Sequence, residues 1–318
     1  MQNYKISKLQ VTNFRNLEEK IISFSPKINC ILGENGNGKT NILEAIYNIV
    51  NHQNFEIKNL YSGRNRANNM GEALEKYIKD AFAGTFGITD ELERMKTFNQ
   101  EFSWLGSQNN PPDIMIKGGD SIEVKKTQSA NSSLALNSSY PKTDLRHTSP
   151  MITKECKECE DWKVKDLIYC VGHTTDTNIK SLWMVYGNSY AAKHETYQRI
   201  KTTISDGIKT IPDVVFADTK ELGRVNQVDP LGITNLRIRG MWQIENPRKV
   251  FNYLHEPTDK DFELISIIPT DKYNSFPKES ITKLEGITKN GFSIENKQIK
   301  DPNNPAKLMD CKLIKLCV

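Results

Sequence analysis

The sequence predicts a mixed α/β domain, a short central sheet flanked by helices, and three features point to it. Strand-like alternating runs and amphipathic helical runs follow one another along much of the chain. A Gly118-Gly119-Asp120 turn joins two alternating runs, the pattern of a β-hairpin. Near the front, a glycine-rich loop links a buried strand-like run to a helical one.

In chain order, residues 4–13 (YKISKLQVTN) alternate apolar and polar and read as a strand. Residues 27–33 (KINCILG) read as a second, more buried strand, followed by GENGNGKT (33–40) and the helical stretch NILEAIYNIV. A helix is expected from about Met70 to Phe82, because Met70, Ala73, Leu74, Tyr77, Ile78, Ala81 and Phe82 recur at helical spacing. DIMIKG and SIEVKK supply the two strands of the hairpin around Gly118-Gly119-Asp120. Residues 129–153, rich in Ser, Thr and Asn, read as a loop. DLIYCVG (166–172) and SLWMVYG (181–187) are further strands, and His194 to Gly207 is an amphipathic helix. Beyond residue 256, Pro, Asn and Lys recur and periodicity no longer defines elements; the chain has no internal repeat.

The 318 residues suffice for one large domain or two ordinary ones, and two units are expected, at 1–50 and 51–318. Hydrophobic residues make up 37% of the chain, and the mean hydropathy is −0.57, polar but globular. With no run of 18 apolar residues and no apolar stretch in MQNYKISKLQ, neither a membrane span nor a secretory signal is expected, so the cytoplasm is the expected compartment. The 43 basic and 39 acidic residues leave a net charge of +4, which permits a local basic surface without requiring one. Six cysteines, at 30, 156, 159, 170, 311 and 317, are expected to be reduced thiols.

The most informative constellation is Pro112-Asp113, nine intervening residues, then Glu123-Val124-Lys125. Residues i and i+2 of a strand share a face, so Glu123 and Lys125 point together, and Asp113 opens the partner strand. Two carboxylates and an ammonium at one site suit Mg²⁺, a hard cation usually held by one or two carboxylates plus phosphate. Such an ion polarises a scissile phosphate and acidifies a bound water, while Lys125 would position that water and offset developing charge. The same letters would also occur on an ordinary solvated hairpin.

This spacing resembles the PD-(D/E)xK nuclease signature. Its surroundings, NLYSGRNRANNMGEALEKYIKDAFAGT (59–85), PPDIMIKGGDSIEVKK (111–126), SSLALNSSYPKTDL (132–145) and DWKVKDLIYCVGH (161–173), resemble the NgoPII family of restriction endonucleases. The resemblance implies a PD-(D/E)xK core, Mg²⁺ dependence and cleavage of duplex DNA at the palindrome GGCC. It also implies a homodimer, since a two-fold site suits a two-fold protein, and a companion DNA methyltransferase that protects the same site. By position, Asp113 and Glu123 become metal ligands and Lys125 the catalytic lysine. Many such nucleases add a glutamate from an early helix; Glu75, in GEALE, fits that pattern, with Glu72 as the fallback. For reading guanines, Arg64, Arg66, Arg224, Arg237 and Arg239 are available, and Asn235-Leu236-Arg237-Ile238-Arg239 sets the last two on one strand face. Phosphate contact serves any of them equally well.

GENGNGKT also fits the Walker A pattern, with Gly33, Gly38, Lys39 and Thr40 placed to cradle phosphates and a magnesium ion. With VTNFRNLEE before it and TNILEAIY after it, residues 4–47 resemble the amino-terminal piece of a RecF-type DNA-repair ATPase. The rest of such an ATPase is missing. No LSGGQ-like signature occurs, and the one Walker B imitation, Asp213 to Asp218 (DVVFAD), lacks a following Glu and reads as a buried strand. ATP use is therefore not expected. Two strands and a helix are also too little to bury a core of their own. The expected account is a short RecF-like partial P-loop segment joined, near residues 41–52, to a restriction endonuclease domain; a RecF-like nucleotide-dependent DNA-binding or repair ATPase and a catalytically inactive DNA-binding relic are the alternatives.

Cys156, Cys159, Cys170 and His173 have spacing compatible with a small zinc site; two loop thiols and a buried strand cysteine are the alternative. His147 and His194 show no evident partner and are expected at the surface.

Overall fold

The computed structural model of the chain describes residues 8–11, 20–23, 40–60, 70–107 and 110–318. Gly33, Gly38, Lys39, Arg64, Arg66 and the strand expected at 27–33 lie outside the described residues. At the front, β1 (Lys8–Val11) and β2 (Lys20–Ser23) pair antiparallel. Helix α1 (Ile42–His52) begins where the Asn41 side chain accepts the Leu43 N–H at 2.9 Å, satisfying a backbone donor that the first turn leaves orphaned. Its stripe of Ile42, Leu43, Ala45, Ile46, Ile49 and Val50 is fully buried, in the same core as the central sheet. Each of the larger side chains contributes about 1.5–3 kcal/mol by leaving water.

After α2 (Ile57–Leu60) comes α3 (Met70–Ala83), the helix expected from the apolar spacing, with Ala73, Leu74, Tyr77, Ile78, Ala81 and Phe82 buried. The end of α3 is tied to α4 (Glu91–Glu101) by Arg94, whose Nε and Nη2 each lie 2.8 Å from the two oxygens of buried Asp80. Strands β3 (Phe102–Trp104), β4 (Ile114–Ile116) and β5 (Ser121–Thr127) then form an antiparallel meander. The segment expected to be a loop carries two short strands, β6 (Leu134–Ala135) and β7 (Asp144–Arg146), and is followed by α5 (Lys154–Glu158). Strands β8 (Val164–Thr174) and β9 (Ile179–Tyr186) follow as expected, then α6 (Gly187–Tyr190) and α7 (His194–Lys209).

Helix α7 is the amphipathic helix expected, yet none of its residues is buried, and Ile200 and Ile204 are exposed. Residues 213–218 form no strand: Val214 and Val215 are exposed, so the apolar run is a surface segment, which removes the Walker B imitation. A small excursion follows, with β10 (Gly223–Val225) paired to β11 (Leu236–Ile238), then β12 (Gln243–Ile244) paired to β6, and α8 (Pro247–Val250). The part of the chain without readable periodicity is well ordered into β13 (Glu263–Pro269), α9 (Thr270–Ser275), α10 (Lys278–Glu285) and a long hairpin of β14 (Phe292–Asp301) and β15 (Asn304–Cys317).

The central mixed sheet runs β14-β15-β13-β9-β8-β5-β4-β3, with β7 also pairing β8; only the β5–β8 and β9–β13 pairs are parallel. Alternation along β8 divides two cores. Ile168 and Cys170 face α1, α3 and α10, while Leu167, Tyr169 and Val171 face Leu134, Leu136, Tyr190 and Phe251. Helix α3 approaches β8 closely because of Gly172, where a Cβ would stand 2.6 Å from the Leu74 side chain.

Candidate active site

The β4–β5 hairpin holds the expected constellation. Ile114 lies opposite Ile122 and Met115 opposite Ser121, and the Asp113 N–H donates to the Ile122 carbonyl at 3.2 Å. The turn is anchored from outside: Lys165 Nζ donates to the carbonyls of Ile116 (3.1 Å) and Gly119 (2.7 Å). Asp120 accepts from the Tyr186 hydroxyl at 2.6 Å and from Lys272 at 2.7 Å. Behind the aspartate, Gly106 takes φ +92°, and a Cβ there would meet the Asp113 carbonyl at 2.6 Å. Only glycine lets that loop back the start of the strand so closely.

Asp113 Oδ2 accepts the Val124 N–H at 2.6 Å, which locks the carboxylate beside the Glu123–Lys125 pair. Lys125 Nζ donates to Glu123 Oε1 at 2.6 Å, as the shared strand face requires. Burial, and next the Glu123 charge, push the Asp113 carboxyl up to about 7, against the pull of Lys125 and the Val124 N–H. Burial opposes charge on Lys125, but Glu123 and then Asp113 outweigh it and hold the ammonium above the ordinary lysine value. Two partly buried carboxylates on one hairpin, both hard oxygen donors, suit a divalent cation such as Mg²⁺.

Glu75 of α3 comes to the same place. Its carboxyl is raised by burial, an effect that Lys79 and Lys125 oppose and that Glu72 and Glu123 reinforce. Glu72, the fallback, is exposed. Two further lysines that sequence reasoning missed complete the surroundings. Lys79, one helical turn after Glu75, donates to the Leu105 carbonyl at 3.1 Å; burial lowers its pKa while Glu75 and Asp113 resist. Lys142 lines a cleft with Glu123, Tyr140, Leu167 and Tyr169 and bonds Ser139 Oγ. Burial lowers its pKa, and Glu123 resists. The Tyr169 hydroxyl accepts the Lys142 N–H at 2.8 Å and holds this loop over the cleft. The available signal was the helical i, i+4 spacing for Lys79 and the SSYPKTDL segment for Lys142.

The other expected residues separate into distinct places. Arg237 and Arg239 do share a face: both reach Glu221, Arg237 Nη2 at 2.7 Å and Arg239 Nε at 3.0 Å, and both side chains stay more than half exposed. Arg224 is the cross-strand partner of Arg237 and reaches Asn226 at 2.8 Å. Thr40, the described residue of the P-loop pattern, is buried and donates its hydroxyl to Glu101.

The zinc set does not assemble. Cys170 and His173 are three apart on β8 and so face opposite sides, while Cys156 packs beside Met115, Leu145, Ile152 and Trp162 in a separate cluster from Cys170. Nor are the two histidines without partners: His194 Nδ1 lies 3.0 Å from the Tyr140 hydroxyl, and His147 rests against the Trp162 ring.

A mixed sheet whose β4–β5 hairpin gathers two carboxylates and a lysine, with a helix glutamate beside them, defines a restriction-endonuclease-like domain. Residues 40–300 match the NgoPII restriction endonuclease family. The type II restriction enzyme NgoPII of Neisseria gonorrhoeae is 48% identical over 276 residues, which cover 86% of this chain and 98% of that enzyme. The chain belongs to the NgoPII restriction endonuclease family. Residues 5–64 also match the RecF/RecN/SMC N terminal domain. The DNA replication and repair protein RecF of Azobacteroides pseudotrichonymphae is 55% identical over 47 residues, 14% of this chain and 13% of that protein. RecF of Bacillus cytotoxicus is 55% identical over 42 residues, 13% of this chain and 11% of its own. No solved structure matches the chain.

Proposed function

We propose that this type II restriction endonuclease hydrolyses both strands of duplex DNA at GGCC in a Mg²⁺-dependent reaction, acting as a homodimer in the cytoplasm. The observation that carries the reading is the meeting of Asp113, Glu123, Lys125 and Glu75 at one half-buried site. GGCC rests on the family resemblance, and the homodimer on the two-fold symmetry of that site. A companion methyltransferase protecting the host's own sites belongs to the same reading. Among the described residues, no helix is long and apolar enough to cross a membrane.

Asp113 and Glu123 would hold the magnesium ion, which supplies Lewis-acid polarisation of the scissile phosphate and a more acidic bound water. Lys125, fixed 2.6 Å from Glu123, stands where its ammonium offsets charge that develops on the phosphate. Glu75 orients water on the helix side of the site. Lys79 and Lys142 balance the carboxylates and draw the DNA backbone inward. Arg237 and Arg239, exposed on one face, serve as DNA contacts, with Arg224 beside them; Arg64 and Arg66 remain candidates for the same role. The chain divides into a RecF-like partial P-loop segment and an endonuclease domain; in place of the expected division at residue 50, the burial of α1 in the nuclease core supports a join ahead of residue 42. Gly33, Gly38, Lys39 and Thr40 have no role in cleavage in this reading, and the Thr40–Glu101 bond ties the segment's end to α4.

Glu123→Gln and Lys125→Ala should each slow cleavage at least about 100-fold. Both should leave affinity for a GGCC duplex close to that of the parent, measured by single-turnover cleavage beside fluorescence anisotropy. Cutting at the parent rate by either variant refutes the assigned site.

A further inference from the structure

At the far side of the sheet from the hairpin, three donors of different chemistry converge. Glu263 on β13 is the cross-strand partner of Cys317 on β15. The flanking Phe262 and Val318 exchange both backbone hydrogen bonds, so Glu263 and Cys317 form the closer kind of antiparallel pair, with side chains on one face. His255, from the loop after α8, reaches across and places Nε2 3.2 Å from Glu263 Oε1. The Nε2 or Nδ1, the carboxylate oxygen and the Cys317 Sγ all lie within 4.8 Å of one another, and among the described residues this is the group of His, Cys and acidic side chains close enough to share an ion. His255 is 8% exposed and Glu263 5%, so this is not a solvated surface cluster.

We infer that His255, Glu263 and Cys317 form a zinc-binding site distinct from the hairpin constellation. A tetrahedral zinc with nitrogen, oxygen and sulfur ligands holds its donor atoms roughly 3.3–3.8 Å apart, so the observed spacing closes with small side-chain shifts. A mixed imidazole, carboxylate and thiolate set suits borderline-soft Zn²⁺ better than Mg²⁺ or Ca²⁺. The two anionic donors neutralise the ion. The nearby cation Lys315 is engaged elsewhere, 2.5 Å from Glu295. The carboxylate is already oriented, because Glu263 Oε1 accepts the Thr258 N–H at 2.6 Å. The fourth position has room: a cavity of about 430 Å³ is lined by His255, Thr258, Gly291, Lys315 and Cys317 and admits both the ion and a water ligand. Bound there, zinc ties the 254–258 loop and the last strand to β13, as a clip on the C-terminal hairpin. Cys156, Cys159, Cys170 and His173 play no part in it.

The full-length protein, purified without chelator, should carry about one zinc per chain by plasma mass spectrometry. Cobalt substituted for it should give a thiolate-to-cobalt charge-transfer band. Cys317→Ser should lose that band and bind zinc at least about tenfold more weakly, while Cys311→Ser keeps both. Asp113→Asn should leave the band intact, which separates this site from the nuclease centre. X-ray absorption on the zinc-loaded parent, independent of any variant's folding, should show one sulfur at about 2.3 Å with nitrogen or oxygen neighbours at about 2.0 Å. Absence of stoichiometric zinc, an all-oxygen shell, or unchanged cobalt spectra in Cys317→Ser overturns the inference, and none of these bears on DNA cleavage.

Discussion

Replacing Asp113 by Asn should abolish cleavage and, without metal, make the protein more stable. Asparagine keeps the shape and an acceptor for the Val124 N–H at 2.6 Å but removes the charge. The Asp113 carboxyl rises from 3.8 to about 7 in the folded chain, through burial first and Glu123 second. Such a rise means that the native state holds the proton more tightly than the unfolded one. The cost of ionising Asp113 is therefore absent below about pH 3.8, grows through the interval, and is complete above about pH 7. Three units correspond to about 4 kcal/mol, a ceiling because the chain relaxes around an isolated charge; roughly 2–4 kcal/mol is the expected gain. Urea unfolding with chelator present, followed from acid to mildly alkaline pH, measures it directly. The variant and parent should coincide at the acid end and diverge as pH rises. Magnesium should then close the gap by stabilising only the parent, by about 2.7 kcal/mol at a hundredfold excess over its dissociation constant. A pH-independent difference, or a variant less stable than the parent in mild alkali, refutes the reasoning.

Lys142→Met should lower single-turnover cleavage by about 10–100-fold, with Lys142→Arg retaining part of the rate; a parent-like rate in the Met variant removes Lys142 from the site. Replacing Arg237 and Arg239 together by Ala should weaken duplex binding and reduce the slope of log affinity against log salt by about 2 if both meet phosphates, as anisotropy titrations over a salt series would show. An unchanged slope and affinity would place the DNA elsewhere.

The parts of this fold that were legible in sequence are those where one periodicity dominates. Helix α3 shows its stripe because one face packs on the sheet and Gly172 admits Leu74. The β4–β5 hairpin was legible because the turn residues and the alternation agree, and the same alternation put Glu123 and Lys125 together. Beyond residue 256 the signal failed for two physical reasons. Strand β13 is buried along its whole length, so it does not alternate. Strand β14 forms the sheet's edge and carries Glu295, Asn296, Lys297, Gln298, Lys300 and Asp301, polar and charged as edges that resist pairing are. Lys142 was hidden because a loop has no period, and its position depends on the Tyr169 hydroxyl from a distant strand. The apolar run at 214–215 misled in the other direction, since hydrophobicity alone does not distinguish a buried strand from an exposed segment.

Digestion of unmethylated plasmid DNA by the full-length protein, with Mg²⁺ and without ATP, tests the central claim most directly. Discrete fragments ending at GGCC, produced equally by the Lys39→Ala variant and absent when magnesium is chelated, are expected. Cutting that needs ATP, or that is lost with Lys39, would contradict the account and move the chemistry to the P-loop segment.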